Sequence, residues 1–206
     1  MSIALETDRE TPPFAAGDSV SALHKFTVEE YHQMIDAEVF DKYDRVQLLE
    51  GRIVDKTTHK PRHDASVDLT QSALAPLLPT AWRVRVQSAI TTADSEPEPD
   101  IAVVRGPARR YSQRHPRPKN IGLIVEIGDA SLRDDQTIQY RIYARSGIPV
   151  YWIVNLVDEK VEVYTKPKGG KNPRYEERPN YSKDESVPVV IAGKLLGTIP
   201  VRDLLP

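Results

Sequence analysis

The chain has 206 residues, a net charge of −2 and no cysteine. Its length suits one domain with a real core rather than two, and the lack of thiols excludes both a disulfide framework and a thiolate zinc site. The near balance of charge excludes a molecule that attracts nucleic acid over its whole surface, so any such binding must come from a local patch.

Residues 1–22 mix Pro12, Pro13, Gly17 and scattered charge without periodicity and read as a flexible arm, with residues 23–206 as the domain. The N-terminus lacks the basic-then-apolar layout of a signal peptide, and no apolar run approaches the roughly 20 residues of a bilayer span. A soluble protein of the cytoplasm is expected. A first helix begins after Thr27, where Glu30 completes a capping box and Phe26 and Tyr31 are placed for a hydrophobic staple, and it should end near Val39. Arg45 to Val54 reads as a strand pair turning at Glu50-Gly51, with Glu50 open to two readings, turn residue or ligand. Arg62 to Leu78 is helical, and His63 near its start reads as a helix-end or surface histidine. Trp82 to Ile90 alternates: Trp82, Val84, Val86 and Ile90 face one way, and Arg83, Arg85 and Gln87 the other.

A strand follows at Ile101-Ala102-Val103-Val104, with Asp100 at its head. The loop after it carries Arg105, Arg109, Arg110, Arg114, Arg117 and Lys119, plus His115, with no acid among them. Ile121 to Ile127 is then a near-continuous apolar run, the pattern of a strand buried on both faces, yet Glu126 lies inside it. An unpaired carboxylate there would cost several kcal/mol or hold a proton. If the two strands pair antiparallel, Asp100 lies beside Glu126, and two converging carboxylates with oxygen-only surroundings favour Mg²⁺ or Mn²⁺ between them. The plainer alternative is an Asp that ends a turn and a Glu paired with a core arginine. A helix from Leu132 to Ser146 and a buried strand from Val150 to Val154 complete this stretch. Val161 to Tyr164 returns as a hairpin, residues 166–186 read as an exposed loop, and short edge strands are expected at Val187 to Ile191 and Leu195 to Ile199.

The order helix, three strands, helix, strand resembles the core of the PD-(D/E)XK nucleases, an α/β (α+β) restriction-endonuclease-like fold with a central mixed sheet flanked by helices. The chain is identified more narrowly as a member of the Uma family of restriction-endonuclease-like proteins. The resemblance rests on Thr27-Val28-Glu29-Glu30-Tyr31, Leu48-Leu49-Glu50-Gly51, Glu98-Pro99-Asp100, Val125-Glu126-Ile127 and, most specifically, the stretch from Tyr143 to Val154.

The resemblance implies a Mg²⁺- or Mn²⁺-dependent endonuclease acting on DNA, and a homodimer. Asp100, Glu126 and the Ile127 carbonyl would hold the ion. Gln139 stands where relatives carry the lysine that activates water, with Glu50, Gln87 and Asp135 as supporting candidates. Gln47 replaces a usual glutamate. The basic loop, at the far end of its strand from Asp100, would grip flanking nucleic acid or a second subunit, or remain a solvated loop. Because both substitutions exchange charge for an amide, a binding module on a degenerate nuclease fold is the main alternative. A glycosidase-like acid pair is the remote one, since no aromatic sugar platform accompanies the acids.

Overall fold

The computed structural model describes residues 23–206, and the arm expected for residues 1–22 lies outside them. The capping box forms: Thr27 Oγ1 accepts the Glu30 amide at 3.1 Å and Glu30 Oε2 accepts the Thr27 amide at 2.7 Å, opening α1 (Val28–Asp36). α1 stops short of Val39 because Ala37 closes it and Glu38 turns left-handed at φ 54°. The next strands, β1 (Val46–Leu49) and β2 (Arg52–Asp55), pair antiparallel through Glu50 and Gly51 at φ 51° and 76°. Two left-handed central residues give the turn whose twist matches its strands. Val28 and Tyr31 of α1 bury against Leu48 of this hairpin, with Phe26 packed alongside.

α2 (Pro61–Leu74) follows and tightens into a 3₁₀ turn at Ala75–Leu77, since Pro76 offers no N–H to continue the helix. The central sheet then takes shape from β3 (Trp82–Val86), β4 (Ile101–Arg105), β5 (Ile121–Gly128), β6 (Val150–Asn155), β7 (Lys160–Lys168) and β8 (Arg174–Glu177), adjacent in that order, with β9 (Asn180–Ser182) also on β7. The β5–β6 pair is parallel and its neighbours antiparallel, so the sheet is mixed, as expected. All eight residues of β5 are buried, Glu126 included. One face is covered by α2 through Val67 and Leu74 and by the C-terminal segment through Val187, Val189 and Leu204. The other is covered by Ile142, Tyr143 and Ala144.

Several boundaries differ from expectation for local reasons. β3 ends at Val86 rather than Ile90, because Gln87 turns left-handed at φ 42°. The helix expected over 132–146 is three pieces: α3 (Leu132–Asp134), a π-helical turn (Asp135–Gln139) and α4 (Tyr140–Arg145). Residues 166–186 are not an open loop, since β7 runs to Lys168 and β8 and β9 both pair with it. Nor are the C-terminal strands edges of the central sheet. β10 (Ser186–Ile191) and β11 (Lys194–Pro200) form their own hairpin, whose apolar side packs on the sheet's core.

Candidate active site

Strand register builds the site. Ile101 lies opposite Val125 in the antiparallel β4–β5 pair, so Asp100, just before β4, falls opposite Glu126. The Asp100 amide donates to Glu126 Oε2 at 3.0 Å, and the Ile127 amide donates to Asp100 Oδ2 at 2.9 Å. Both acids are buried, with 7% and 5% exposure. The alternative of a Glu126 paired with a core arginine is excluded, because its Oε1 accepts from the Tyr143 hydroxyl at 2.6 Å. Burial, with the charges of Asp100 and Asp135 behind it, pushes the Glu126 carboxyl well above the usual carboxylate range.

A cavity of about 400 Å³ opens over this pair and is lined also by Gln47, Gln87, His63, Asp135 and Gln139. The π-helical turn brings both Asp135 and Gln139 to its wall, which suits a helix defect of the kind that often accompanies functional sites. Burial pushes the Asp135 carboxyl up to about 7 against the hydrogen bond from Ser131 Oγ, 2.8 Å away. Gln139 is buried, and its Oε1 has no hydrogen-bond partner among the described residues. Gln47 Oε1 accepts the Glu98 amide at 3.2 Å, and the Gln87 amide lies 3.1 Å from His59 Nδ1.

Asp100 and Glu126 offer carboxylate oxygens and Gln139 an orphaned carbonyl oxygen in the same cavity, with the His63 imidazole hydrogen-bonded to Asp100 beside them. These residues fit a hard divalent cation such as Mg²⁺ or Mn²⁺.

His63 differs from expectation. It lies in the first turn of α2 but is buried, with Nε2 3.1 Å from Asp100 Oδ2. Burial would push its imidazole down, but the hydrogen bond and charge of Asp100, with Asp64, carry it above its ordinary value. A signal existed: His63 falls in helical step with Val67, Thr70 and Leu74, the buried positions of the same helix. Tyr143 was missed as well, and nothing in its local pattern separates a core tyrosine from one aimed at a carboxylate.

Glu50 is no ligand of the acid pair. Arg141 Nε donates to it at 2.8 Å and Arg145 Nη1 at 3.0 Å, while Arg145 Nη2 reaches Asp94 at 2.9 Å, so Glu50 pins the β1–β2 turn to α4. The Arg141 hydrogen bond leads in holding the Glu50 carboxyl down at about 2. Glu50→Gln should therefore destabilise the protein by about 1–2 kcal/mol at neutral pH, allowing for partial exposure. Because the folded pKa is depressed, this contribution is complete above the unfolded value of 4.5 and is lost as pH falls through about 2. Urea unfolding should show a clear gap between wild type and variant near neutrality that narrows in acid; a gap independent of pH would assign Glu50 no charge role.

The basic loop lies apart. It leaves β4 at Arg105, about 17 Å along the strand from Asp100, and none of its residues lines the cavity. Arg105 lies over the Trp82 ring at 5.3 Å, and the Tyr111 hydroxyl donates to the Arg105 carbonyl. Arg83 and Arg85 lie on the other face of β3 from Trp82 and Arg105, opposite Val104 and Ala102, and Arg85 sits over the Tyr111 ring of this loop at 5.6 Å. The Nε atoms of both are buried without a partner among the described residues.

The family model described as "Uma2: Putative restriction endonuclease" matches residues 28–195. Among solved structures, the chain is similar to the crystal structure of a putative nuclease belonging to DUF820 from Anabaena variabilis ATCC 29413, with a TM-score of 0.62 and 17% sequence identity over 87% of this chain and 97% of that one. At that identity the likeness is one of fold. No curated protein matches the chain. No helix among the described residues is long and apolar enough to cross a membrane. The family match spans the β1–β2 hairpin, the acid pair and the helical segment behind it, and the chain belongs to the Uma2 restriction-endonuclease-like family.

Proposed function

We propose that the chain is a Mg²⁺- or Mn²⁺-dependent endonuclease that hydrolyses phosphodiester bonds in DNA. The observation that carries this reading is the convergence of two buried carboxylates, Asp100 and Glu126, at one end of the sheet beneath an open polar cavity. Asp100, Glu126 and the Ile127 carbonyl would hold the cation, which when bound would supply Lewis-acid polarisation of a phosphate and a more acidic water. His63 and the Ile127 amide fix Asp100, and Tyr143 fixes Glu126, so the two carboxylates are oriented before substrate arrives. Gln139 orients the attacking water through its amide, with Asp135 and Gln87 on the same wall. The loop residues Arg105, Arg109, Arg110, Arg114, Arg117 and Lys119, with Arg83 and Arg85 leading toward them, neutralise phosphates flanking the cut. A cytoplasmic homodimer, with two sites serving two strands, belongs to the same reading.

A second reading, a binding module without cleavage, is favoured by one feature: the amides of Gln47 and Gln139 occupy the cavity where the family pattern has charge. The two are separated by incubating the protein with single-stranded, duplex and branched DNA in Mg²⁺ and in Mn²⁺ while following its thermal midpoint. The nuclease should cut at least one substrate, and Mn²⁺ at about a hundred times its dissociation constant should raise the midpoint by roughly 5–10 °C. Metal-dependent stabilisation and DNA binding with no cleavage in any arm would leave the binding module. No stabilisation by either metal would remove the metal-dependent nuclease.

A further inference from the structure

Beside the acid pair, His59, His63 and Asp64 each offer one ligand atom within 4.8 Å of the others. Asp64 Oδ1 lies 3.6 Å from His59 Nδ1 and 3.4 Å from His63 Nδ1. Ligands bound to one tetrahedral ion at about 2.0–2.1 Å stand about 3.4 Å apart, so the two spacings to Asp64 Oδ1 match a coordinated set and the third pair is held within 4.8 Å. The two imidazoles stack at 4.1 Å with 26° between their planes, and both turn Nδ1 toward the same carboxylate. His63 uses its other nitrogen, Nε2, to reach Asp100 Oδ2 at 3.1 Å. A carboxylate behind the far nitrogen is the arrangement that fixes the tautomer and aim of a metal-bound histidine. At His59, Nδ1 receives the Gln87 amide at 3.1 Å, so its lone pair is presented as an acceptor that a cation could claim instead. All three residues lie within six positions where the chain enters α2, so little of the chain has to be ordered to assemble them.

We propose that His59, His63 and Asp64 form a second metal site, separate from the acid pair, which takes a borderline transition-metal cation with Zn²⁺ as its representative. Two imidazoles and one carboxylate select such ions, whereas Mg²⁺ favours the carboxylate oxygens of Asp100 and Glu126. The His63–Asp100 hydrogen bond links the two sites. Occupation of the second would therefore hold His63, and through it Asp100, in a fixed orientation. The site does not rest on the nuclease reading, since its ligands and spacing stand whether or not the chain cleaves DNA.

The test is equilibrium dialysis of the full chain against Zn²⁺ in excess Mg²⁺, together with the visible spectrum of the Co²⁺-substituted protein. One Zn²⁺ per chain is expected, with a four-coordinate Co²⁺ spectrum, and both should persist in Glu126→Gln, which disables the acid pair. His59→Gln and Asp64→Asn should each weaken Zn²⁺ binding about tenfold or more. Asp64 is exposed, so Asp64→Asn leaves the fold intact and decides the matter alone should His59→Gln prove unstable. Unchanged Zn²⁺ affinity in Asp64→Asn, loss of the ion in Glu126→Gln, or no Zn²⁺ bound by the wild type would each overturn the site.

Discussion

Asp100→Asn should abolish metal-dependent cleavage, by at least about a thousandfold, while leaving the metal-free protein as stable as the wild type or more so. Asparagine keeps the shape of the side chain, and its carbonyl oxygen can accept from the Ile127 amide and from His63 as Asp100 Oδ2 does. The strand register should survive. What disappears is a charge in a cavity that also holds Glu126 and Asp135, all three buried. Asp100 is, after burial, the leading cause of the raised Glu126 carboxyl, so its removal relieves repulsion in the metal-free state. The same charge is what a divalent ion requires. A loss of several kcal/mol of transition-state stabilisation corresponds to a factor of at least about a thousand at 1.36 kcal/mol per tenfold. Single-turnover cleavage and thermal midpoints with and without Mn²⁺ would show it. A variant that still cuts within tenfold of wild type would remove Asp100 from the mechanism.

Gln139→Lys should raise cleavage by one to three orders of magnitude, roughly the range expected of one electrostatic group in a hydrolytic site. Gln139 is buried on the cavity wall at the end of the π-helical turn, and its Oε1 meets no donor. Replacing an amide whose carbonyl oxygen lacks a partner among the described residues with an ammonium loses little. The new charge would face Asp100, Glu126 and Asp135, acids that line the same cavity, so it would be buried among opposite charges rather than alone. It would also stabilise negative charge developing on a phosphate, which a neutral amide does only through its dipole. Cleavage rates in Mg²⁺, measured beside DNA affinity, distinguish the outcomes. A Gln139→Lys protein that binds Mg²⁺ and DNA more tightly yet never nicks a strand would defeat the nuclease reading and establish the binding module.

The acid pair was legible because its two members violate local patterns. An acid inside an eight-residue buried strand and another at the head of an apolar strand stand out in any reading of hydrophobic periodicity, and antiparallel register is enough to bring them together. Glu50 carried the same local signal of an acid beside a turn, yet its partners Arg141 and Arg145 lie 91 and 95 positions away and were invisible until α4 was folded onto the hairpin. The C-terminal strands were found as strands but not as a separate hairpin, because periodicity reports which residues are half-buried and not what buries them.

By itself the sequence determined the elements that depend on neighbouring residues: the capping box at Thr27, the Glu50-Gly51 turn, the two-faced burial of β5 and the opposition of Asp100 to Glu126. Those follow from hydrogen bonds within three residues, from backbone preference and from the two-residue period of strands. Only the tertiary structure decided which side chains surround the acids. His63 reaches Asp100 across 37 positions, and Tyr143 reaches Glu126 from a helical segment on the far side of a chain reversal. The π-helical turn that carries both Asp135 and Gln139 to the cavity is likewise a product of packing, since its sequence reads as an ordinary amphipathic helix. A helix–sheet contact joins residues remote in sequence, and its geometry is set by the mutual packing of whole faces, which no local pattern encodes.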